Sequence, residues 1–232
     1  MNELSTVLND QFALPSVYEA LPKDFNKARF VQNSMALIAE HPDLKKYEQG
    51  KLVQGLMKGA YMGLDFFNGE AHLIPYGAEL KFEPDYTGMI KLAKKYSIRP
   101  VKEIYARIVR EGDEFSEEVI NNNDVINFKP VPFNTGAVRG AFAICIYADG
   151  GAKAEVMSIQ ELETVKRLSK AQTGTAWKFF PEQMYKKIVI RRLCKGIPKE
   201  FENEKQAQIY NDEDAIETNV RVVEEEGNPF DE

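Results

Sequence analysis

GLDFFNGEAHLIPYGAELKFEPDYTGMIKLAKK, residues 63–95, is the stretch from which the fold is read. Gly63 follows a run in which Leu52, Val53, Leu56, Met57, Ala60 and Tyr61 share one helical face, so it caps a helix over about residues 46–62. His72–Tyr76 and Glu79–Glu83 then read as two strands joined at Tyr76-Gly77-Ala78, the second alternating charged and apolar residues as a half-buried strand does. Leu80 and Phe82 are expected inward, with Glu79, Lys81 and Glu83 outward. From about Tyr86 to Tyr96 the spacing returns to helical, with Tyr86, Met89, Ile90 and Ala93 on one side and Lys91, Lys94 and Lys95 on the flank facing water.

Working outward, Phe30, Val31, Met35, Leu37 and Ile38 mark a helix that Pro42 stops, and residues 1–28 are polar and broken by Pro15 and Pro22. Those first residues are expected to form an arm of one or two short helical pieces, apart from the core and packing on a neighbouring subunit. Residues 98–156 are rich in β-branched and aromatic side chains between Gly, Asn and Pro breaks. Strands are expected over 101–109, 124–129, 138–147 and 153–157, as an antiparallel meander with turns at Asn121–Asp124 and Asp149–Gly151. Ser158 with Glu161 makes a capping box for a helix reaching Lys166 or Ser169, and a basic, small-residue loop runs on to Trp177. A last helix starts at Pro181 and stops at Gly196 before Pro198. On it Tyr185, Ile188, Val189 and Leu193 cluster, Lys187, Arg191 and Lys195 form a row, and Arg192 falls among the apolar positions, where it needs an ion-pair partner, an interface or a ligand.

The chain of 232 residues has a formal net charge of −6, which taken alone argues against nucleic acid. Its distribution reverses that conclusion. Residues 201–232 hold eleven acidic and two basic side chains, whereas residues 153–200 hold eleven basic and five acidic. A domain core over 29–200 followed by an acidic, disordered tail is expected, with only a weak helical signal at Lys205–Tyr210. For the tail, competition with DNA or docking of a basic partner stands beside a merely solubilising role, and its Asn228-Pro229-Phe230-Asp231-Glu232 end is similar to the acidic Pro-Phe tip of bacterial single-stranded-DNA-binding proteins, departing from it in that Asp231 and Glu232 follow Phe230. Cys145 and Cys194 lack CxxC spacing and read as buried free thiols, and no apolar run is long enough to cross a membrane.

No GxxxxGK[ST], GxGxxG or GxSxG occurs, so ATP hydrolysis, a dinucleotide cofactor and the common serine hydrolase chemistry lack support. With His41 and His72 the only histidines, a histidine metal site is not indicated. One enzymatic pattern remains. Asp65 with Glu79-Leu80-Lys81 matches the carboxylate plus E-x-K layout of Mg²⁺-dependent nucleases, and the same residues read equally as an exposed strand face.

Three passages combine into a resemblance. They are Gly63-Leu64-Asp65 with Gly69-Glu70-Ala71-His72-Leu73-Ile74-Pro75-Tyr76-Gly77, then Tyr86-Thr87-Gly88-Met89-Ile90-Lys91-Leu92-Ala93, then Trp177, Met184-Tyr185-Lys186-Lys187 and Arg191-Arg192-Leu193-Cys194-Lys195-Gly196-Ile197-Pro198. In order, over about residues 30–200, the chain resembles the RecT family of phage single-strand annealing proteins. The resemblance implies an α+β fold, a curved antiparallel sheet packed against helices, in a protein that coats single-stranded DNA and pairs it with its complement without ATP or covalent chemistry. It further implies a ring or helical filament holding an annealed duplex intermediate, a partner exonuclease, a host single-stranded-DNA-binding protein, and a phage or prophage setting in the bacterial cytoplasm. Carried onto matching positions, DNA contact falls on Lys91, Lys94, Lys95, Lys186, Lys187, Arg191, Arg192 and Lys195. Lys81, Lys166, Arg167 and Lys170 join on position and charge, and Trp177 either stacks on a base or belongs to the core.

Overall fold

The computed structural model describes residues 2–169 and 172–212, and the chain divides into two compact units, residues 1–88 with 200–232 and residues 89–199. The first unit opens with α1 (Asn2–Ala13), α2 (Pro15–Ala20) and α3 (Lys27–Glu40). A 3₁₀ turn (Pro42–Lys46), α4 (Gln49–Met62) and the antiparallel hairpin β1 (Ala71–Tyr76) and β2 (Glu79–Pro84) follow. Gly63 sits at φ 66° and closes α4, the left-handed position that a side chain resists. Asp65 then organises the turn into β1. One of its carboxylate oxygens accepts the Phe67 and Asn68 amides, and the other accepts the Asn33 and Asn68 side chains. The Glu70 carboxylate closes the turn by accepting the Asp65 amide at 2.8 Å.

The core of this unit is a chain of rings. Phe12, Phe25 and Phe30 lie within 5.2 to 6.0 Å of one another, Phe30 meets Phe66 at 6.2 Å, and Phe66 meets Phe82 of β2 at 5.9 Å. Phe66 reaches the α4 backbone because position 59 is glycine, where a Cβ would stand 2.3 Å from the ring. The N-terminal residues are therefore not an arm apart from the core. Leu4, Leu8, Phe12, Val17 and Leu21 are buried, and α1 packs on α3 and α4. Apolar spacing on short helices outweighs the two prolines, which merely end one helix and begin the next.

A second correction concerns the segment after residue 200. Residues 204–212 are helical and cross into the core with Ile209 and Tyr210 buried and Gln206 fully enclosed. Asn203 starts this helix by accepting the Gln206 amide, and the Gln206 side chain accepts the Glu202 amide in return. Phe201 and Tyr210 pack at 5.2 Å. The acidic tail thus begins later than its charge suggests, and residues 213–232 lie outside the described residues.

The second unit takes up α5 (Tyr86–Tyr96) from Met89 onward and continues as an antiparallel sheet ordered β3 (Val101–Arg110), β6 (Val138–Tyr147) and β7 (Ala152–Ser158). Between β3 and β6 the chain makes a separate hairpin, β4 (Glu114–Ile120) with β5 (Asn123–Lys129), turning at Asn121 and Asn122 with φ 50° and 60°. A simple meander is therefore not what forms. The hairpin folds over the sheet, placing Phe115 and Phe128 5.5 and 5.3 Å from Phe142 of β6. The opposite face of β6 presents Ala141, Ala143 and Cys145, all fully buried. Such small side chains let α8 (Pro181–Lys195) lie close across β3, β6 and β7. α6 (Ile159–Leu168) begins at the expected Ser158–Glu161 capping box, and the short α7 (Thr175–Phe179) precedes α8. Antiparallel sheets packed against helices make the fold α+β, as expected.

Candidate nucleic-acid interface

α8 carries more of the basic candidates than any other element. Tyr185, Val189, Ile190, Leu193 and Cys194 face the sheet and are buried, which turns Lys187, Arg191 and Lys195 outward as a half-buried row one turn apart. Lys186 is also half-buried. Arg192, expected to need a partner, has one: its Nε lies 2.6 Å from Oε1 of Glu155 on β7. The helix ends under two further cations. Lys153 Nζ donates to the Gly196 carbonyl at 2.6 Å, and Lys199 Nζ donates to the carbonyls of Ile197, at 2.9 Å, and Cys194. Both offset the negative end of the helix dipole and hold the last turn in place. Neither lysine stood among the sequence candidates, although cations at helix C-termini are a recognised local signal.

That end of α8 is also where α5 arrives. The chain just past α5 pairs with the chain just past α8 through a bridge between Ser97 and Lys199 and through the Ile98 amide, 3.2 Å from the Pro198 carbonyl. Met89, Leu92, Ala93 and Tyr96 are buried, and Lys91, Lys94 and Lys95 stand exposed on the other flank of α5, as its periodicity predicts. The final turns of two basic helices are therefore tied together at one end of the unit.

A second group surrounds the start of α8. Arg110 anchors Glu182 at 2.5 Å. The Tyr185 hydroxyl donates to Glu163, which holds that carboxyl below its usual range and, together with burial, pushes the tyrosine up. Lys166 pairs with Glu163 at 3.1 Å and stands 5.7 Å from the Trp177 ring, and Arg167 donates to the Thr164 hydroxyl. Trp177 is 5% exposed and packs 5.9 Å from Tyr185, so of its two sequence readings the structure takes the core one. Two other rings stand in the open instead. Phe179 and Phe180 are 62% and 61% exposed. Lys81 lies on β2 of the first unit, and Lys170 lies outside the described residues.

α8, at about 1.5 Å per residue, separates these groups by roughly 20 Å. From residue 163 to residue 195 the sequence holds nine basic side chains and two acidic ones, Glu163 and Glu182, which pair with Lys166 and Arg110. The result is an elongated basic strip rather than a pocket.

The nuclease layout does not assemble. Asp65 stands at the β1 entry, its oxygens taken by the Asn33 and Asn68 side chains and the turn amides, whereas Glu79 sits at the other end of the hairpin in an ion pair with Lys51 at 2.5 Å. The length of β1 separates them by roughly 17 Å, at about 3.3 Å per residue. Among the described residues no group of three or more His, Cys, Asp or Glu is placed to hold a metal ion, and no helix is long and apolar enough to cross a membrane.

Comparison with known proteins meets the same residues. The chain is 29% identical over 211 residues to Protein RecT of Escherichia coli (strain K12), covering 87% of this chain and 77% of that protein. The RecT family model matches residues 28–227, from α3 through α8 and beyond, and so takes in the turn after Gly63, the hairpin, α5 and the basic strip. The chain belongs to the RecT family of single-strand annealing and recombination proteins.

Proposed function

We propose that this protein coats single-stranded DNA as an oligomer and pairs it with a complementary strand without ATP or covalent chemistry. The observation that carries this reading is the basic row Lys187, Arg191 and Lys195 along α8, with the lysines at the end of α5 tied to the same end of the helix. A protein that pairs any sequence has to hold phosphates, because base edges carry sequence information and phosphates do not. A row of cations on a helix locked to a sheet does this, releasing counterions and making affinity fall with salt. Pairing is then accelerated by alignment: a strand held extended loses less freedom when its complement arrives. Trp177 serves as the packing anchor behind the strip, and Arg192 holds α8 to β7 through Glu155 while one edge of its guanidinium stays available. A neighbouring copy of the chain, a partner exonuclease and a host single-stranded-DNA-binding protein complete the expected setting, in the cytoplasm of a bacterium carrying the phage or prophage.

The strip is tested by Lys187→Ala and Arg191→Ala, with Lys45→Ala on the 3₁₀ turn of the first unit as control. Binding of a fluorescent single strand, titrated across salt, should weaken in the first two, and the slope of log K against log salt should shrink by roughly one for each phosphate that the variant no longer neutralises. Unchanged affinity and slope in both would remove this helix face from the interface.

A further inference from the structure

We infer that Phe179 and Phe180 are this chain's base-stacking residues, taking the faces of nucleobases in a single strand whose phosphates lie on the neighbouring cations. This rests on the annealing reading and adds to it the side chains that handle bases.

Two adjacent large rings this open form a contiguous apolar patch, which marks a candidate binding surface more than a lone exposed side chain does. Both rings sit at a junction with a fixed backbone. The Phe180 amide donates to the Ala176 carbonyl at 2.9 Å, and the Phe180 carbonyl accepts the Gln183 and Met184 amides at 3.1 and 3.2 Å. Trp177 anchors the turn inward, so that Lys178 and Phe179, at 100° per residue, point away from the core. Chemistry favours nucleobases as the occupant. Lys178 stands 5.3 Å from the Phe179 ring, Lys166 and Arg167 close the adjoining helix, and an aromatic face beside cations fits a stacked base with its phosphate. An apolar partner protein would instead have to bury those charges. Stacking tolerates any sequence, since every base has a π-face, which suits a protein that must not discriminate.

The test compares a thymidine oligonucleotide with an abasic strand of equal length and charge, using the full chain and the double variant Phe179→Ala/Phe180→Ala. Removing both rings, at about 1–3 kcal/mol for each stacked base, should weaken thymidine binding by about 30-fold or more. Abasic binding should change less than about twofold, the salt slope should hold, and Phe179→Tyr/Phe180→Tyr should restore affinity. Equal loss on both strands would show the rings acting through the fold or a subunit interface, and no loss on either would show them uninvolved; each overturns the inference. Failure of the unaltered protein to bind either strand would instead remove the annealing reading on which this one rests.

Discussion

Replacing Trp177 by leucine separates a packing role from a stacking one. The indole is 5% exposed and meets Tyr185 at 5.9 Å, and its Nε1 has no hydrogen-bond partner among the described residues. Losing the ring pair costs about 1 kcal/mol. The smaller apolar surface costs roughly 1.5 kcal/mol at about 25 cal/mol per Å² for some 60 Å². Against this, removing a buried donor without a partner returns about 1–3 kcal/mol. The net is a destabilisation of at most about 1.5 kcal/mol, which lowers the melting temperature of a chain this long by no more than roughly 3–6 °C. Circular dichroism reads the melt, and anisotropy of a labelled thymidine strand reads binding. The expected result is a small drop in melting temperature with affinity within about twofold of the original. A tenfold loss of affinity with an unchanged melt would mean that Trp177 touches bases, and the core assignment would be wrong.

Other consequences can be checked alongside. Burial pushes the Cys194 thiol to about 12 and also raises Cys145, so neither should react with an aromatic disulfide reagent at pH 8 until guanidinium unfolds the chain; fast labelling of the folded protein would contradict their burial. Asp113 accepts the Val131 and Arg110 amides and the Asn134 side chain, which hold its carboxyl below 3.8. A depressed folded value stabilises above the unfolded one and is lost as pH falls through the folded one. Carbon NMR should therefore find Asp113 titrating below 3.8, and a value at or above that would refute the loop geometry. Ending the chain after Asp212 keeps helix 204–212 whole, whereas ending it after Glu200 removes buried Ile209 and Tyr210 and should melt several degrees lower; equal melting of the two would show that helix to be dispensable.

Local codes made much of this fold legible. Gly63, the Glu79–Glu83 alternation, the Ser158–Glu161 box and the Pro181 and Gly196 limits of α8 each act within a few residues of themselves. Gly88, part of the motif that carried the resemblance, has a tertiary cause: a Cβ there would lie 2.0 Å from the Glu70 carbonyl. What sequence patterns left out depends on partners far along the chain. β4 escaped notice because Glu117 and Glu118 dilute its alternation, and only Phe115 reaches the core, against Phe142. Helix 204–212 was masked by the charge around it, although its inner face docks in the first unit. At the candidate interface, composition marked α5 and α8 correctly as basic, yet it could not say that Arg192 meets Glu155 or that Lys153 and Lys199 cap α8. Nor could it choose between the stacking and the core reading of Trp177, because burial is settled by what α7 packs against.

Strand pairing tests the central claim most directly. Two complementary oligonucleotides, each labelled at one end for energy transfer, are mixed with the protein in the absence of nucleotide and divalent cation, at rising salt. Pairing should run much faster than the protein-free rate, with an advantage that declines as salt releases the phosphates, and the strands should be recovered at full length. Pairing at the protein-free rate, a requirement for ATP, or shortened strands would contradict it.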